Sequence, residues 1–318
     1  MSEGLVYVGK IIAIDTIPTA DNIVSATVVC GHGGKWRGVV RKVDMGLNDM
    51  CVVFLPDALI PECESMSFMK SSNWRVKMRR FRGAPSEVVI MTYDGPEPIG
   101  KDMTYWYGVT KYHKPIPAHL QGLAKGEFPQ FIPKTDELNY QRHFDLVERL
   151  NGKPYYITEK ADGSSTTAFR YKGQFGLCSR NLELEYNPDN GYWIVAKKYG
   201  VEEKLPENYA LQWETCGPGI QSNPMGLTEI DGFAFSGYKI DEHRYLTMHE
   251  LIALCKKMQF PMCPILEHGR VFDMQGVELR GEGKYSNGAE REGVVIRSIE
   301  NFGGAPISFK VINLNYEL

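Results

Sequence analysis

The first third of the chain alternates short apolar, β-branched runs with polar punctuation. Residues 5–14, 23–30, 36–43, 50–55 and 88–92 form such runs. Pro18, Asp21-Asn22, Gly31 to Gly34 and Gly46 break them. Strands of this length bounded by turn residues predict an all-β module, and five or so within about 100 residues predict a small OB-like barrel over residues 1–112. Residues 113–134 are dense in proline and glycine with little periodicity, which predicts a linker. From 135 to 318 the pattern is mixed. Thr135, with Asp136 and Glu137 after it, is expected to cap a helix running to about Leu150. Thr247-Met248-His249-Glu250 reads as a capping box, opening a helix with Leu251, Leu254, Cys255 and Met258 on one face. A further helix is expected over 190–199, closed by Gly200. Strands are predicted at 155–159, 165–171, 174–179, 209–216, 231–238, 293–297 and 307–312. Many strands with few helices predict an α+β domain built on antiparallel sheets.

Composition narrows the class. The chain has 318 residues, 43% of them hydrophobic, and a formal net charge of -3. That describes a globular protein with room for two domains, and its balanced charge gives no global sign of nucleic-acid binding. The seven cysteines contain no C-x-x-C pair and the histidines no H-x-x-x-H pair. A disulfide framework or zinc ribbon is therefore not expected, and a reducing, cytoplasmic setting is. Met-Ser-Glu-Gly does not read as a signal peptide, and no apolar run is long enough to span a membrane.

Residues 159–165, Glu-Lys-Ala-Asp-Gly-Ser-Ser, hold the most specific chemistry. A lysine at the end of an apolar strand is expected to be partly desolvated, to lose its proton more easily and to act as a nucleophile. In an extended chain Asp162 points the same way as Lys160. Gly163 is expected to permit a sharp turn and close approach of a phosphate. By itself this K-x-D-G is a weak signal, and a polar hairpin end explains it equally well.

The order of elements downstream is more specific: Ser179-Arg180-Asn181, Gln212-Trp213-Glu214, Asp231-Gly-Phe233-Ala-Phe235, Glu292-Gly-Val-Val-Ile-Arg297 and Ser308-Phe309-Lys310. With Lys160-Ala-Asp162-Gly163 this set resembles the covalent nucleotidyltransferases, and within them the ATP-dependent RNA ligases that carry an N-terminal OB module. Residues 128–137, Phe-Pro-Gln-Phe-Ile-Pro-Lys-Thr-Asp-Glu, resemble the segment leading into their adenylation domain. Residues 17–22 and 52–57 resemble their N-terminal module. The resemblance implies that Lys160 attacks the α-phosphorus of ATP and becomes a lysyl-adenylate. AMP then passes to an RNA 5′-phosphate, and a 3′-hydroxyl seals the break. It implies Lys160, Asp162, Arg180 and Lys310 as catalytic residues, with Glu159, Gly163, Glu214, Phe235, Glu292 and Lys310 around the nucleotide. Asp162 and Glu292 would hold Mg²⁺ or Mn²⁺. Without the resemblance, Arg180 reads as an exposed ion pair, Glu214 as a strand-edge carboxylate, Phe233 and Phe235 as core, and Lys310 as an outward strand lysine. Two departures stand out. Relatives tend to carry K-x-K where this chain has Ser308-Phe-Lys310, and Arg-x-Gln where it has Asn139-Tyr140-Gln141-Arg142. A phosphate contact is expected to be missing at Ser308, and Arg142 is the candidate to replace a lost nucleotide contact.

Lys70, Arg75, Lys77, Arg79, Arg80 and Arg82 lie within thirteen residues that contain no acid and are interleaved with Trp74 and Phe81. Such a run suits a nucleic-acid backbone and stacked bases, although like-charge runs are often only solvated faces. Lys77, Arg79, Arg80 and Arg82 are the expected RNA contacts. The predicted partner is RNA with 3′-hydroxyl and 5′-phosphate ends in a nicked duplex, and the protein is expected to be a monomer. A DNA ligase or capping guanylyltransferase is one alternative. Both ordinarily carry an OB domain after the catalytic domain, and none is expected in the short stretch from Lys310 to Leu318. A catalytically degenerate RNA-binding protein is another, which the intact set of residues opposes.

Overall fold

The computed structural model describes residues 4–18, 20–31, 33–112 and 122–316. Thr19 of the 17–22 segment and residues 113–121 of the expected linker lie outside them. The chain divides into two compact units. One comprises Met1–Pro115 with Tyr140–Asp145, the other Ile116–Asn139 with Leu146–Leu318.

The first unit is built on β1 (Val6–Thr16), β2 (Ile23–Cys30), β3 (Gly34–Arg41), β4 (Met50–Phe54) and β8 (Val89–Thr92), antiparallel in the order β3-β2-β1-β4-β8. Strict alternation in β2 sends Val24, Ala26, Val28 and Cys30 inward, where they pack with Trp36 and Val40 of β3. β4 reads as a continuous apolar run because both its faces are covered. Cys51 and Val53 join that inner cluster, while Val52 and Phe54 pack with Met66, Met69 and Val76 on the other side. Shorter pairs complete the unit: β5 (Ala58–Leu59) with β9 (Thr110–Lys111), and β6 (Arg79–Phe81) with β7 (Ala84–Ser86). Just after β7, the Glu87 N–H donates to the Arg37 carbonyl at 2.8 Å, bringing the chain back beside β3. The buried Glu87 carboxylate accepts from the Arg37 N–H and from Gln141 Nε2, so residues 140–145 belong to this unit.

The second unit holds two antiparallel sheets. The larger runs β10 (Ala124–Glu127), β14 (Leu182–Leu184), β13 (Gln174–Cys178), β12 (Ser164–Tyr171), β15 (Tyr209–Cys216), β16 (Asp231–Lys239), β17 (Arg244–Tyr245). The smaller runs β18 (Ile265–Gly269), β11 (Tyr155–Glu159), β19 (Gly293–Phe302), β20 (Ala305–Ile312). Short α1 (Phe144–Leu150) precedes β11. Helices α2 (Gly191–Lys198), α3 (Val201–Lys204) and α4 (Met248–Met258) cover one face of the larger sheet. There Trp193, Val201, Leu251, Leu254 and Met258 pack with Leu211 and Trp213. The capping box at Thr247 forms as expected, with both hydrogen bonds to Glu250.

Two expectations need correction. Residues 135–143 are not helical. The Thr135 hydroxyl bonds to Ser165, Asp136 to Arg180 and Glu137 to Arg297, so residues that could start a helix are committed to distant partners. Nor are residues 124–134 a free linker. β10 pairs with β14, and Phe128 and Ile132 are buried against Phe169, Ala210 and Tyr238. No helix among the described residues is long and apolar enough to cross a membrane.

Candidate active site

Lys160-Ala161-Asp162-Gly163 joins β11 of the smaller sheet to β12 of the larger one. The lysine therefore stands where the two sheets face each other across a cleft. Strand register builds each wall. Thr158, Val295 and Lys310 lie directly opposite one another on β11, β19 and β20, so their side chains share a face. Two residues along, Tyr156, Arg297 and Ser308 repeat the row. On the larger sheet Ser165 pairs with Glu214 and Glu214 with Phe233, on the face opposite the helices. Thr158, Glu159, Lys160, Ser165, Arg180, Glu214, Phe235, Arg297 and Lys310 all line the cleft, together with Thr135, Asp136 and Glu137.

Backbone bonds hold the nucleophile candidate. The Lys160 N–H donates to the Gly293 carbonyl at 3.0 Å, and the Glu159 N–H to the Pro264 carbonyl at 2.9 Å. The buried Tyr285 hydroxyl donates to the Lys160 carbonyl at 2.9 Å and accepts from the Glu292 N–H at 3.2 Å. One phenol thus ties Lys160 to Glu292 across 132 residues of sequence. Residue 293 must be glycine. Its φ is +153°, and a Cβ would sit 2.2 Å from the Val311 carbonyl oxygen. Gly163 is required for packing too: a Cβ there would lie 2.3 Å from the Thr215 carbonyl oxygen. The glycine thus lets the chain lie close against β15.

The electrostatics differ from the sequence expectation in sign. Lys160 Nζ donates to Glu292 Oε2 at 2.6 Å. Burial favours the neutral amine, but the carboxylates of Glu292, Glu214 and Asp162 outweigh it, and the pKa of Lys160 is raised. The lowered lysine is Lys310, through burial first and then the positive charge of Lys160. Glu214 is pushed up to about 8, mainly by burial, with Glu292 and Asp162 adding to the rise and Lys160 and Arg180 opposing it. Glu159 is raised by burial.

The other expected residues are placed as follows. Phe235 lines the cleft and Phe233 does not. Arg180 is exposed at the rim, paired with Asp136. Asp162 accepts from the Tyr316 hydroxyl and acts on Lys160 through its charge. Arg142 donates to the Pro56 carbonyl within the first unit. Ser308 donates to Glu137 Oε2 at 2.6 Å, and the same carboxylate holds the buried Arg297. Arg297 also donates to Thr158 at 3.2 Å. A guanidinium therefore reaches the cleft beside Ser308, where a phosphate contact is expected to be missing. The sequence assigns Arg297, Tyr285 and Tyr316 no site role, and Glu137 only that of a helix-starting acid.

In the first unit the basic run forms the β6–β7 hairpin and its approach. Arg79 Nη1 donates to Ser71 Oγ at 3.2 Å and Arg80 Nη1 to the Gly83 carbonyl at 3.1 Å. Lys77 and Arg82 are exposed.

Asp162, Glu214 and Glu292 concentrate negative charge around one lysine. A donor set of carboxylate oxygens without thiolate or imidazole fits a hard divalent cation. Among the described residues no group of three or more acids, histidines or cysteines is placed to hold a metal by itself. Mg²⁺-like ions are commonly held by one or two carboxylates together with substrate phosphate oxygens.

Comparison with known proteins agrees with this geometry. An RNA ligase family model matches residues 153–312, and an OB-fold domain model matches residues 5–91. No curated protein sequence matches the chain. Solved structures of a Naegleria gruberi RNA ligase match along nearly the whole length. A mutant with AMP and Mn is 30% identical, with 97% of this chain and 96% of that chain covered and a TM-score of 0.81. A mutant with ATP and Mn is 29% identical, covers 97% of each chain and gives 0.81. The same ligase with PPi is 29% identical, with 98% and 97% covered and a TM-score of 0.80.

Proposed function

The chain belongs to the RNA ligase family, and from that membership and the cleft we infer an ATP-dependent RNA ligase that joins 3′-hydroxyl and 5′-phosphate ends through Lys160. The observation that carries this reading is the lysine between facing sheets, fixed by Gly293 and Tyr285 and surrounded by Glu292, Glu214 and Lys310. In the first step Lys160 Nζ, having lost a proton, bonds to the α-phosphorus of ATP as the bond to the pyrophosphate oxygen breaks. In the second an oxygen of the RNA 5′-phosphate takes the adenylyl group, and the amine is restored. In the third the 3′-hydroxyl attacks the activated 5′-phosphorus and AMP leaves. All three are in-line transfers at phosphorus, governed by positioning and charge.

Placement in the cleft supports the following roles. Phe235 offers its ring to the adenine, and Glu214 accepts from a ribose hydroxyl. Lys310 and Arg297 face the phosphates from the smaller sheet, and Arg180 meets them from the rim. Glu292 and Asp162 would hold Mg²⁺ or Mn²⁺, which would neutralise phosphate charge. The RNA presents its 3′-hydroxyl and 5′-phosphate ends in a nicked duplex, and the setting is RNA repair. Described cysteines are all free thiols, which suits a reducing cytoplasm. We take the working form to be the monomer.

Labelled ATP or GTP with a divalent cation, followed by a denaturing gel, tests this reading. Label from ATP alone is expected. Label from GTP would point to a capping enzyme, and label from neither to a degenerate binder. A second expectation concerns Tyr285. In Tyr285→Phe the Lys160 carbonyl and the Glu292 N–H each lose a buried partner, a cost of about 1–3 kcal/mol per group. Adenylation should slow by about tenfold or more, with little change in the KM for ATP, because the phenol positions the nucleophile without touching the nucleotide. A raised KM at unchanged kcat would place Tyr285 in nucleotide binding instead.

A further inference from the structure

A groove of about 830 Å³ opens in the first unit, apart from the catalytic cleft. It lies along the seam of the barrel. The order β3-β2-β1-β4-β8 leaves β3 and β8 as the two sheet edges, and residues of both line the groove, Val39 from β3 and Met91 from β8 among them. A 3₁₀ segment (Glu64–Ser72) and the β6–β7 hairpin supply its walls. The Arg79–Ser71 hydrogen bond ties hairpin to segment.

Two features of this groove have no use within the unit. Phe68 on one wall and Phe81 on the other are 55% and 42% exposed, although neighbouring apolar side chains such as Met66 and Met69 are buried. The charge is also uneven. Of the four basic residues lining the groove, Arg41 is paired with Asp44 at 2.6 Å. Arg75 is paired with Asp57 at 2.7 Å and stacks over Tyr112 at 3.9 Å. Lys77 and Arg79 make no ion pair among the described residues. Two uncompensated cations beside two exposed rings and an apolar floor fit a ligand with flat apolar faces and regular negative charge. A nucleic-acid strand has both. In a duplex the base faces are already stacked on one another, so exposed rings favour unpaired nucleotides.

We propose that the seam groove binds an unpaired RNA segment beside the break, with bases stacked on Phe68 and Phe81 and phosphates on Lys77 and Arg79. OB folds ordinarily bind strands across the face of their second and third strands and the loops beside it, so a seam site is a different placement. The proposal rests on the RNA-joining reading and adds a site for unpaired RNA outside the joined ends.

The test is fluorescence anisotropy on the full chain with three probes: an oligouridylate of about 12 nucleotides, within the range one OB fold spans; an abasic ribose-phosphate chain of equal length; and a paired RNA duplex. The oligouridylate should bind tightest. Phe68→Ala/Phe81→Ala should weaken it by about tenfold or more, since each stacked base contributes about 1–3 kcal/mol, and should leave abasic binding unchanged. Phe68→Leu/Phe81→Leu, which keeps apolar bulk and loses the ring face, should lose nearly as much. Lys77→Ala/Arg79→Ala should flatten the slope of log K against log salt by about 1.4, from about 0.7 per phosphate contact on a single strand. Four results would overturn the proposal: unchanged affinity in either phenylalanine pair, equal affinity for the abasic chain, preference for the duplex, or displacement of the RNA by an acidic, tyrosine-rich peptide whose own binding needs Phe68 and Phe81. Formation of the lysyl-adenylate from ATP without RNA separates the two failures. No adduct in the wild type fails the RNA-joining reading; an adduct with RNA affinity indifferent to Phe68 and Phe81 fails the groove alone.

Discussion

Lys160→Ala protein incubated with labelled ATP and Mg²⁺ or Mn²⁺ will carry no label after denaturation, and it will not join unadenylated RNA. The loss should be complete within detection, because a bond to phosphorus cannot form without its nucleophile. The informative control is Lys310, which also lines the cleft and has the lowered pKa of the two lysines. By proton affinity alone Lys310 would be the better nucleophile. Placement decides against it. Lys160 lies in the connection between the two sheets, while Lys310 lies inside β20, opposite Val295 on the wall. Lys160→Arg should fail as fully, since a guanidinium stays protonated. Lys310→Ala should slow adenylation without abolishing it. Joining of a strand supplied already adenylated should partly survive in Lys160→Ala, because that step uses no lysine nucleophile. Mass spectrometry that found AMP on Lys310 in the Lys160→Ala protein would overturn the assignment of the nucleophile.

The elements most legible in the sequence were those whose reasons are local. Alternation placed β2, β12, β15 and β16 within a residue or two, and a capping box placed α4 at its true start. What could not be read locally was what distant partners decide. Residues 135–143 carry helix-starting chemistry, yet Asp136 and Glu137 are taken by Arg180 and Arg297 from far along the chain. β10 is a polar, fully exposed strand with no apolar alternation, recognisable only once β14 pairs with it. Phe128 and Ile132 lie among prolines, and only the fold brings Phe169 and Tyr238 around them. The same holds within the cleft. The lysine, its neighbouring carboxylates and Phe235 were recognisable by order, whereas Arg297 could be identified only from the β11–β19 register that turns it inward. The pKa of Lys160 depends on distant partners in the same way. Burial at a strand end is a local inference, but Glu292 and Glu214 arrive from far along the chain and reverse the sign.

That reversal yields a prediction for Glu292 with two separable parts. In the free protein Glu292 is the leading cause that raises the pKa of Lys160, acting by charge and by a direct hydrogen bond. A lysine held as an ammonium cannot attack phosphorus, so adenylation should accelerate as pH rises toward the lysine's pKa. Glu292→Gln removes the carboxylate charge and keeps the side-chain shape. The pKa of Lys160 should therefore fall, and the pH at which the rate reaches half its plateau should move downward. The plateau itself should drop by about ten- to a hundredfold, the usual scale for losing a group that supports a metal site. More Mg²⁺ or Mn²⁺ should also be needed for half-maximal rate, since one of the two carboxylates offered to the cation is gone. Single-turnover adenylation across pH and across metal concentration reads both parts. A lower plateau with an unmoved pH midpoint would mean that Glu292 does not set the lysine's proton affinity in the reacting complex. An unchanged metal requirement would remove it from the cation site. If both held at once, its contact with Lys160 would be a resting ion pair and nothing more.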